Sequence, residues 1–366
     1  MPEDLPRQGY LRSTEADRAV GSEIDGYSEV FWPPDARVGR AVSSGLRAEV
    51  SPKIAVVIPC YKCKRHIIEI INNIGPEVSV IIVVDDGCPE GTGEHVKRMV
   101  ADPRVHVTFR HGNGGVGSAV KSGYLEALSR SADIIVKVDG DGQMDPRHIL
   151  RFVAPIAEGY CDYTKGNRFF AVEFLRGMPA TRIIGNACLS LISKVSSGYW
   201  NIIDPTNGYT AIHAKVLKAL PLDKISDGYF FESDMLFRLN ISGAMVSDIP
   251  VESSYGDEVS GIKIWKVLFQ FSWSHLRCFQ KRIVYNYFIR NFSMASLFLL
   301  LGVLFIGSGG AYGIYEFYYH ASRNLPTPSG TVMLAALPII TGVQFLLSFI
   351  NFDMAERPRQ AMHRRL

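Results

Sequence analysis

The sequence predicts an α/β domain, a mostly parallel sheet with helices on both faces, followed by a two-helix membrane anchor. Three observations carry that expectation. Short β-branched runs alternate with stretches of helical length between residues 53 and 141. Acidic residues close two of those runs, and two long C-terminal stretches contain no charge. Apolar runs separated by helices are how a parallel sheet with crossover helices is written.

The elements follow in chain order. Residues 1–50 carry scattered charge, the prolines of "FWPPDARVGRAV", no periodicity and no secretory pattern. They read as an extended, partly disordered lead-in. The α/β domain is expected over 51–260. Its strands are "KIAVVIP" (53–59), "VSVIIVVDDG" (78–87), "RVHVTFR" (104–110) and "DIIVKVDGD" (133–141). Helices fit between them at 65–74, 91–101 and 116–130. In such sheets ligands bind beyond the carboxyl ends of the strands, where Asp85, Asp86, Asp139 and Asp141 all fall.

Residues 261–290 mix Trp, Phe and Tyr with Lys and Arg, as amphipathic helices on a membrane surface do. A helix packed on the soluble domain is the other reading. Residues 291–353 are expected to hold two spans. No charge occurs from Asn291 to Tyr315 or from Asn324 to Phe352, and each stretch exceeds the roughly 20 residues a bilayer core requires. Tyr315, Phe317, Tyr318 and Tyr319 form an interfacial belt. Pro338 is tolerated in a membrane helix better than in a soluble one. Lys281, Arg282 and Arg290 precede the first span; Arg357, Arg359, Arg364 and Arg365 follow the second, in a basic tail at 354–366. The positive-inside rule then places the α/β domain and both termini in the cytoplasm, against a bacterial inner membrane or an endoplasmic reticulum membrane. "GSGG" (307–310) offers close-packing surfaces to a homo-oligomer without fixing a count.

Composition narrows the function classes. The 366 residues are 47% hydrophobic with a formal charge of +3. That is room for about two domains, and too little net charge to argue for nucleic acid. Cys60 and Cys63 form one CxxC without a second pair, which disfavours structural zinc; reduced cytosolic thiols are the plain reading of all six cysteines. "GNGGVG" (112–117) matches a dinucleotide fingerprint but follows the third strand rather than the first, so a glycine-rich helix entry is preferred. It lacks the lysine of a P-loop. A calcium loop starting at Asp139 fails because Met144 and Leu150 stand where Gly and Glu are required.

The stretch "KVDGDGQMDP" (137–146) remains. Asp145 before Pro146 reads as a helix cap. Asp139 and Asp141, two apart at a strand end, project to one side of an extended chain. With the neutral oxygen of Gln143 they can hold Mg²⁺ or Mn²⁺, ions that keep waters and take phosphate oxygens. Gly140 lets a diphosphate approach the backbone.

The order of "VVIPCYK", "VVDDGCPEGT", "NGGVGSAVKSGY", "VDGDGQMDP", "KGNRF", "DPTNGYTAI", "GYFFESDM" and "YGDEVSGIKIWKV", across about 53–270, resembles the inverting family 2 glycosyltransferases of the GT-A fold. More narrowly it is similar to the polyprenyl-phosphate glycosyltransferases, such as dolichyl-phosphate mannose synthase. The resemblance implies a GT-A sheet, a UDP- or GDP-sugar donor, Mg²⁺ or Mn²⁺, and a dolichyl or undecaprenyl phosphate acceptor. By position it implies that Pro59 and Tyr61 line the nucleobase pocket with Asp85 as polar contact, beside Asp86 and Gly87. It implies that Asp139, Gly140, Asp141 and Gln143 serve metal and diphosphate, and that Arg168 meets phosphate charge. Arg182 and Lys263 would serve the acceptor or donor phosphates. Glu232 and Asp234 sit where relatives with saccharide acceptors keep acids, one of them the base; an anionic lipid phosphate needs no strong base. Two departures concern the donor: Cys63 stands where mannose synthases carry Glu, and Asp257 and Glu258 precede Lys263 without the usual Arg. The competing readings are a glycosyltransferase extending a saccharide and a non-catalytic sugar-nucleotide-binding membrane protein.

Overall fold

The computed structural model describes residues 51–170, 180–251, 264–358 and 360–366. Its first half follows the expected alternation: β1 (Ile54–Cys60), α1 (Ile67–Asn72), β2 (Val78–Asp85), α2 (Thr92–Met99), β3 (Val105–Phe109), α3 (Val116–Ser129) and β4 (Ile134–Lys137). The strands are near-continuous apolar runs because both faces of the sheet are covered. Alternate β1 residues serve opposite cores. Ala55 and Val57 pack with Tyr124 of α3, while Val56 and Ile58 pack with Ile67 and Ile70 of α1.

The second half adds further strands and helices. They are α4 (Ile149–Ala157), β5 (Tyr163–Asn167), α5 (Ala180–Ser197), β6 (Thr210–His213), α6 (Ala214–Ala219), α7 (Phe231–Ser242) and β7 (Val246–Pro250). The seven-stranded sheet has the order β3-β2-β1-β4-β6-β5-β7. It is parallel except at β6, which is antiparallel to both β4 and β5. The order reverses at β1, with β2 on one side and β4 on the other, so the crevice beyond Cys60 and Lys137 is the switch point where such sheets bind ligands.

One expected boundary moves. The fourth strand ends at Lys137, not at 141, and Asp139 to Asp141 turn away from the sheet. Gly142, with φ of +80°, is in the left-handed region and cannot continue an extended strand. The two acids therefore sit in a turn rather than on the pleat of a strand.

α8 (Ile264–Val284) and a π-helical turn (Tyr285–Arg290) lead into α9 (Met294–Ser322) and α10 (Ser329–Ala355). α8 serves both readings of its sequence. Its His275, Cys278 and Ile283 are buried, while Trp273 and Leu276 are 64% and 46% exposed. α9 and α10 are each long and apolar enough to cross a bilayer, and only 22% and 11% of their most apolar windows are covered by protein. Core helices would be covered; these two leave their apolar surface to lipid, and the protein is membrane-localised. The pair packs closely where Gly302 and Gly342 face each other: a Cβ on Gly342 would lie 2.9 Å from the Gly302 carbonyl. Of "GSGG", Gly309 is used inside this hairpin, against Ala335 and Pro338.

The hairpin is bound back to the α/β domain. Asp353, near the end of α10, accepts hydrogen bonds from Arg282 of α8, Tyr287 of the π-helical turn and Trp200 after α5. Arg282, read from sequence as a flanking charge, is thus a buried ion-pair partner, 2% exposed. Beyond it, the tail reaches the start of β5. The Met362 and His363 amides and the His363 ring bond the buried Asp162 carboxylate. His363 also stacks on His213 at 4.2 Å.

Candidate functional site

The carboxyl ends of β2 and β4 carry the acids, and each acid has a distinct fate. Asp85, the last residue of β2, is 4% exposed. Its oxygens accept from the backbone amides of Cys88 (2.7 Å) and Gly93 (2.6 Å). Asp86 is 3% exposed and accepts from Arg110 and from the amides of Gly114 (3.1 Å) and Gly115 (2.9 Å). The expectation made Asp85 the polar contact of a nucleobase. In the structure both carboxylates are turned into their own loops, because these loops carry amides that only an acceptor can satisfy. This also explains "GNGGVG". Its amides hold Asp86, and Gly115 begins α3 where a Cβ would lie 2.7 Å from the Asp227 carbonyl. Gly87 turns the chain between the two, with φ of +64°. Pro59 is half-buried near the end of β1, and the Tyr61 ring beyond it is 45% exposed.

At the neighbouring strand end, a residue the sequence reading passed over is central. Lys137, the last residue of β4, is 1% exposed, yet its ammonium lies 2.8 Å from Asp139 Oδ1 and 3.0 Å from Glu232 Oε1. Burial alone pulls a lysine's pKa down, but the Asp139 and Glu232 carboxylates hold this one well above the usual range. The contact to Glu232 is a hydrogen bond. The contact to Asp139 is a close ion pair, and the Asp139 side chain stays 26% exposed. On its other side Asp139 meets bare backbone: a Cβ on Gly208 would fall 1.9 Å from Asp139 Oδ2 and 2.7 Å from Lys137 Nζ. The signal that could have exposed Lys137 was in the sequence. A lysine inside the apolar run "DIIVKV" must be paired if the strand is buried.

Asp141 accepts from the Gln143 amide at 3.0 Å, which orients its carboxylate within the turn. The contact the structure gives Gln143 is thus its N–H rather than its side-chain oxygen. Gly140 closes down on Cys63, where a Cβ would lie 2.8 Å from the sulfur. Cys60 and Cys63 are both buried and unbridged. Asp145 caps the turn at Pro146, accepting from the Arg147 amide at 2.9 Å, as expected.

Arg168 has partners within the protein. Its guanidinium makes a bidentate pair with buried Asp204 (2.7 and 3.0 Å), and it also donates to Thr206. Asp204 opens "DPTNG", so the pair anchors the loop that delivers Gly208 to Asp139. Beneath this loop Lys165 donates to the Asn207 carbonyl, and burial lowers its pKa to about 8. Asp248, on β7, is pushed up to about 7 by burial, with the nearby Asp204 carboxylate adding to the shift against its bond from the Ile203 amide.

The α7 acids separate. Glu232 faces Lys137, whereas Asp234, 6% exposed, accepts from the Ser226 amide at 2.8 Å and pairs with Arg238. A first-turn acid is favoured by the helix dipole and by amides that need an acceptor; Asp234 is occupied in that way. Arg182 lies on α5, and Lys263 lies outside the described residues.

Two oxygen-donor carboxylates one residue apart, Asp139 and Asp141, suit a hard cation that keeps water and takes the rest of its shell from phosphate. Among the described residues no three His, Cys, Asp or Glu side chains converge as a self-sufficient metal cage. The two carboxylates are compatible with a hard divalent cation such as Mg²⁺ or Mn²⁺.

Ile184 and Leu191 of α5 are 64% and 58% exposed, and α5 packs against α8, which exposes Trp273 and Leu276. Phe230, at the start of α7, meets His275 of α8 edge-on at 4.9 Å, linking the acid-bearing helix to this surface.

Comparison with known proteins gives a consistent picture. The glycosyl transferase family 2 pattern matches residues 55–220. Polyprenol monophosphomannose synthase of Mycolicibacterium smegmatis is 31% identical over 225 residues, 59% of this chain and 84% of that protein. Undecaprenyl-phosphate mannosyltransferase of Micrococcus luteus is 34% identical over 175 residues, 47% and 71% of the respective chains. A UDP-N-acetylglucosamine–dolichyl-phosphate N-acetylglucosaminyltransferase of Methanococcus voltae is 27% identical over 216 residues, 55% and 86%.

Proposed function

The chain belongs to glycosyl transferase family 2 and is a glycosyltransferase, and from that membership we propose that it moves a sugar, with inversion, from a nucleoside-diphosphate sugar to a membrane polyprenyl phosphate. The observation that carries this reading is the state of the α7 acids. Transfer to a sugar hydroxyl needs a base that can take a proton. Here Glu232 is ion-paired to a buried ammonium and Asp234 is bonded into the 226 loop. A phosphate acceptor is already anionic and needs neither. The exposed apolar face of α5 and α8, next to two helices that leave their apolar surface to lipid, supports an acceptor with a hydrocarbon chain.

In this reading Pro59 and Tyr61 line the nucleobase pocket, while Asp85, Asp86 and Gly87 set its shape from behind. Asp139 and Asp141 hold Mg²⁺ or Mn²⁺ beside Gly140, and the bound cation would take up charge on the departing nucleoside diphosphate. The Gln143 amide holds Asp141 in place. Arg168 and Asp204 fix the "DPTNG" loop, and with it the wall against which Asp139 rests. Arg182 and Lys263 supply positive charge for the acceptor phosphate. A phosphate oxygen of the lipid attacks the anomeric carbon. The new carbon–oxygen bond forms as the bond to the diphosphate breaks, and the diphosphate leaves with the electron pair. One displacement inverts the centre. The tail's return to Asp162 keeps it on the same side of the spans as the catalytic domain, and the basic flanks support the cytoplasmic side.

The test is a donor screen. Membranes containing the full chain are incubated with labelled UDP- and GDP-sugars, Mg²⁺ and polyprenyl phosphate. Label is expected in the lipid fraction with one donor, and its loss in Asp141→Asn. Transfer unchanged in Asp141→Asn, or label only in a saccharide product, would overturn the reading.

A further inference from the structure

Lys137 calls for an explanation that its fold alone does not give. It ends a strand whose other residues are Ile134, Ile135 and Val136, and it is 1% exposed. It reaches two carboxylates from distant parts of the chain, one in the Asp139–Asp141 turn and one on α7. One ammonium thus faces two carboxylates, and Asp139, 26% exposed, is paired with it and still open to solvent.

We propose that Lys137 is a positioning residue that reserves the acid site for a cation arriving with a diphosphate. This rests on the reading of Asp139 and Asp141 as cation ligands. Without nucleotide, the Lys137 ammonium offsets half the charge of the facing Asp139 and Glu232 carboxylates and opposes a divalent ion by like-charge repulsion at short range. A diphosphate adds negative charge on the open side of the turn, which offsets that repulsion. The cation and nucleotide then bind as a unit, and Glu232 stays held by the ammonium. The close wall at Gly208, where a Cβ would also strike Lys137 Nζ at 2.7 Å, keeps the ammonium from swinging away.

Mn²⁺ binding to the purified full chain in nanodiscs, followed by the loss of free-Mn²⁺ electron paramagnetic resonance signal, tests this with and without UDP or GDP. Wild type is expected to bind Mn²⁺ weakly alone and at least tenfold more tightly with the matching nucleotide. In Lys137→Met, nucleotide-free affinity is expected to rise about tenfold, and the enhancement by nucleotide to shrink correspondingly. Lys137→Arg, which keeps the charge, should stay near wild type. A merely structural role would weaken Mn²⁺ binding, never strengthen it. A folded Lys137→Met with unchanged or weaker nucleotide-free affinity overturns the proposal. Should that variant not fold, Lys137→Met/Glu232→Gln is compared with Glu232→Gln; tighter nucleotide-free binding in the double variant supports the proposal, and equal or weaker binding overturns it. Failure of the underlying site reading looks different: wild type would not bind Mn²⁺ even with nucleotide, or Asp141→Asn would bind as wild type does.

Discussion

Gly208→Ala should separate activity from stability more sharply than any other single change in this protein. The added Cβ would lie 1.9 Å from Asp139 Oδ2 and 2.7 Å from Lys137 Nζ, where ordinary contact begins at 3.4 Å. The carboxylate must therefore retreat by about 1.5 Å, the difference between these two distances. Asp139 is 26% exposed and can retreat towards solvent, so the fold should lose only the ~1–3 kcal/mol typical of local overpacking. The chemistry has no such latitude. A misplacement of about 1 Å costs about 100-fold in rate, or ~2.7 kcal/mol of transition-state stabilisation. The assay is transfer of labelled sugar into the lipid fraction at several Mn²⁺ concentrations, alongside a thermal melt. The expected result is a rate at least about 100-fold down, partly restored by high Mn²⁺, in a protein that still melts cooperatively. A folded variant with near wild-type rate and unchanged Mn²⁺ dependence would refute the claim that Asp139's position governs the reaction.

Further predictions concern other parts of the molecule. Ile184→Asp and Leu191→Asp should each raise the KM for polyprenyl phosphate about tenfold, the loss of one apolar side-chain contact, while the KM for the nucleotide sugar stays put; equal effects on both substrates would contradict the acceptor surface. Asp353→Leu leaves Arg282 buried without its carboxylate and should cost ~3–5 kcal/mol, seen as a lower melting temperature in nanodiscs with the protein still in the membrane fraction. Asp248 carries a sign that can be checked. Its folded pKa of about 7 exceeds that of a free aspartate, so the folded state holds the extra proton between roughly pH 4 and 7. Its contribution is full at the acid end and is lost as pH rises through that window, by up to ~1.4 kcal/mol per pH unit. Asp248→Asn should remove that slope, and identical slopes in both proteins would show that Asp248 is ionised when folded.

The part of the fold that the sequence announced is the part whose burial is symmetrical. β1, β2 and β4 are covered on both faces and so read as runs rich in Ile and Val, with acids at or just beyond the ends of β2 and β4. β5 is just as buried but reads "YTKGN", because its polar side chains are satisfied by partners far away in sequence: Asn167 by Asp248, and Lys165 by the Asn207 carbonyl. No local pattern reports such pairings. The same holds for the site. Asp139 and Asp141 were visible because their spacing is local, and Asp145 because capping is local. Lys137, Gly208 and the Arg168–Asp204 pair were not, since each takes its meaning from a residue more than 30 positions away. Asp353 looked like the boundary of a span, and its role as the joint between anchor and catalytic domain needed α8, the π-helical turn and Trp200 in place.

The central claim is that the sugar lands on a lipid phosphate, and the mass of the product tests it directly. Purified full chain is given the donor found in the screen, Mn²⁺ and a polyprenyl phosphate of defined length, and the organic phase is measured by mass spectrometry. The account predicts one new species, the polyprenyl phosphate plus a single sugar residue, absent in Asp141→Asn. A sugar left in the aqueous phase on a saccharide, or a polyprenyl diphosphate sugar, would contradict it.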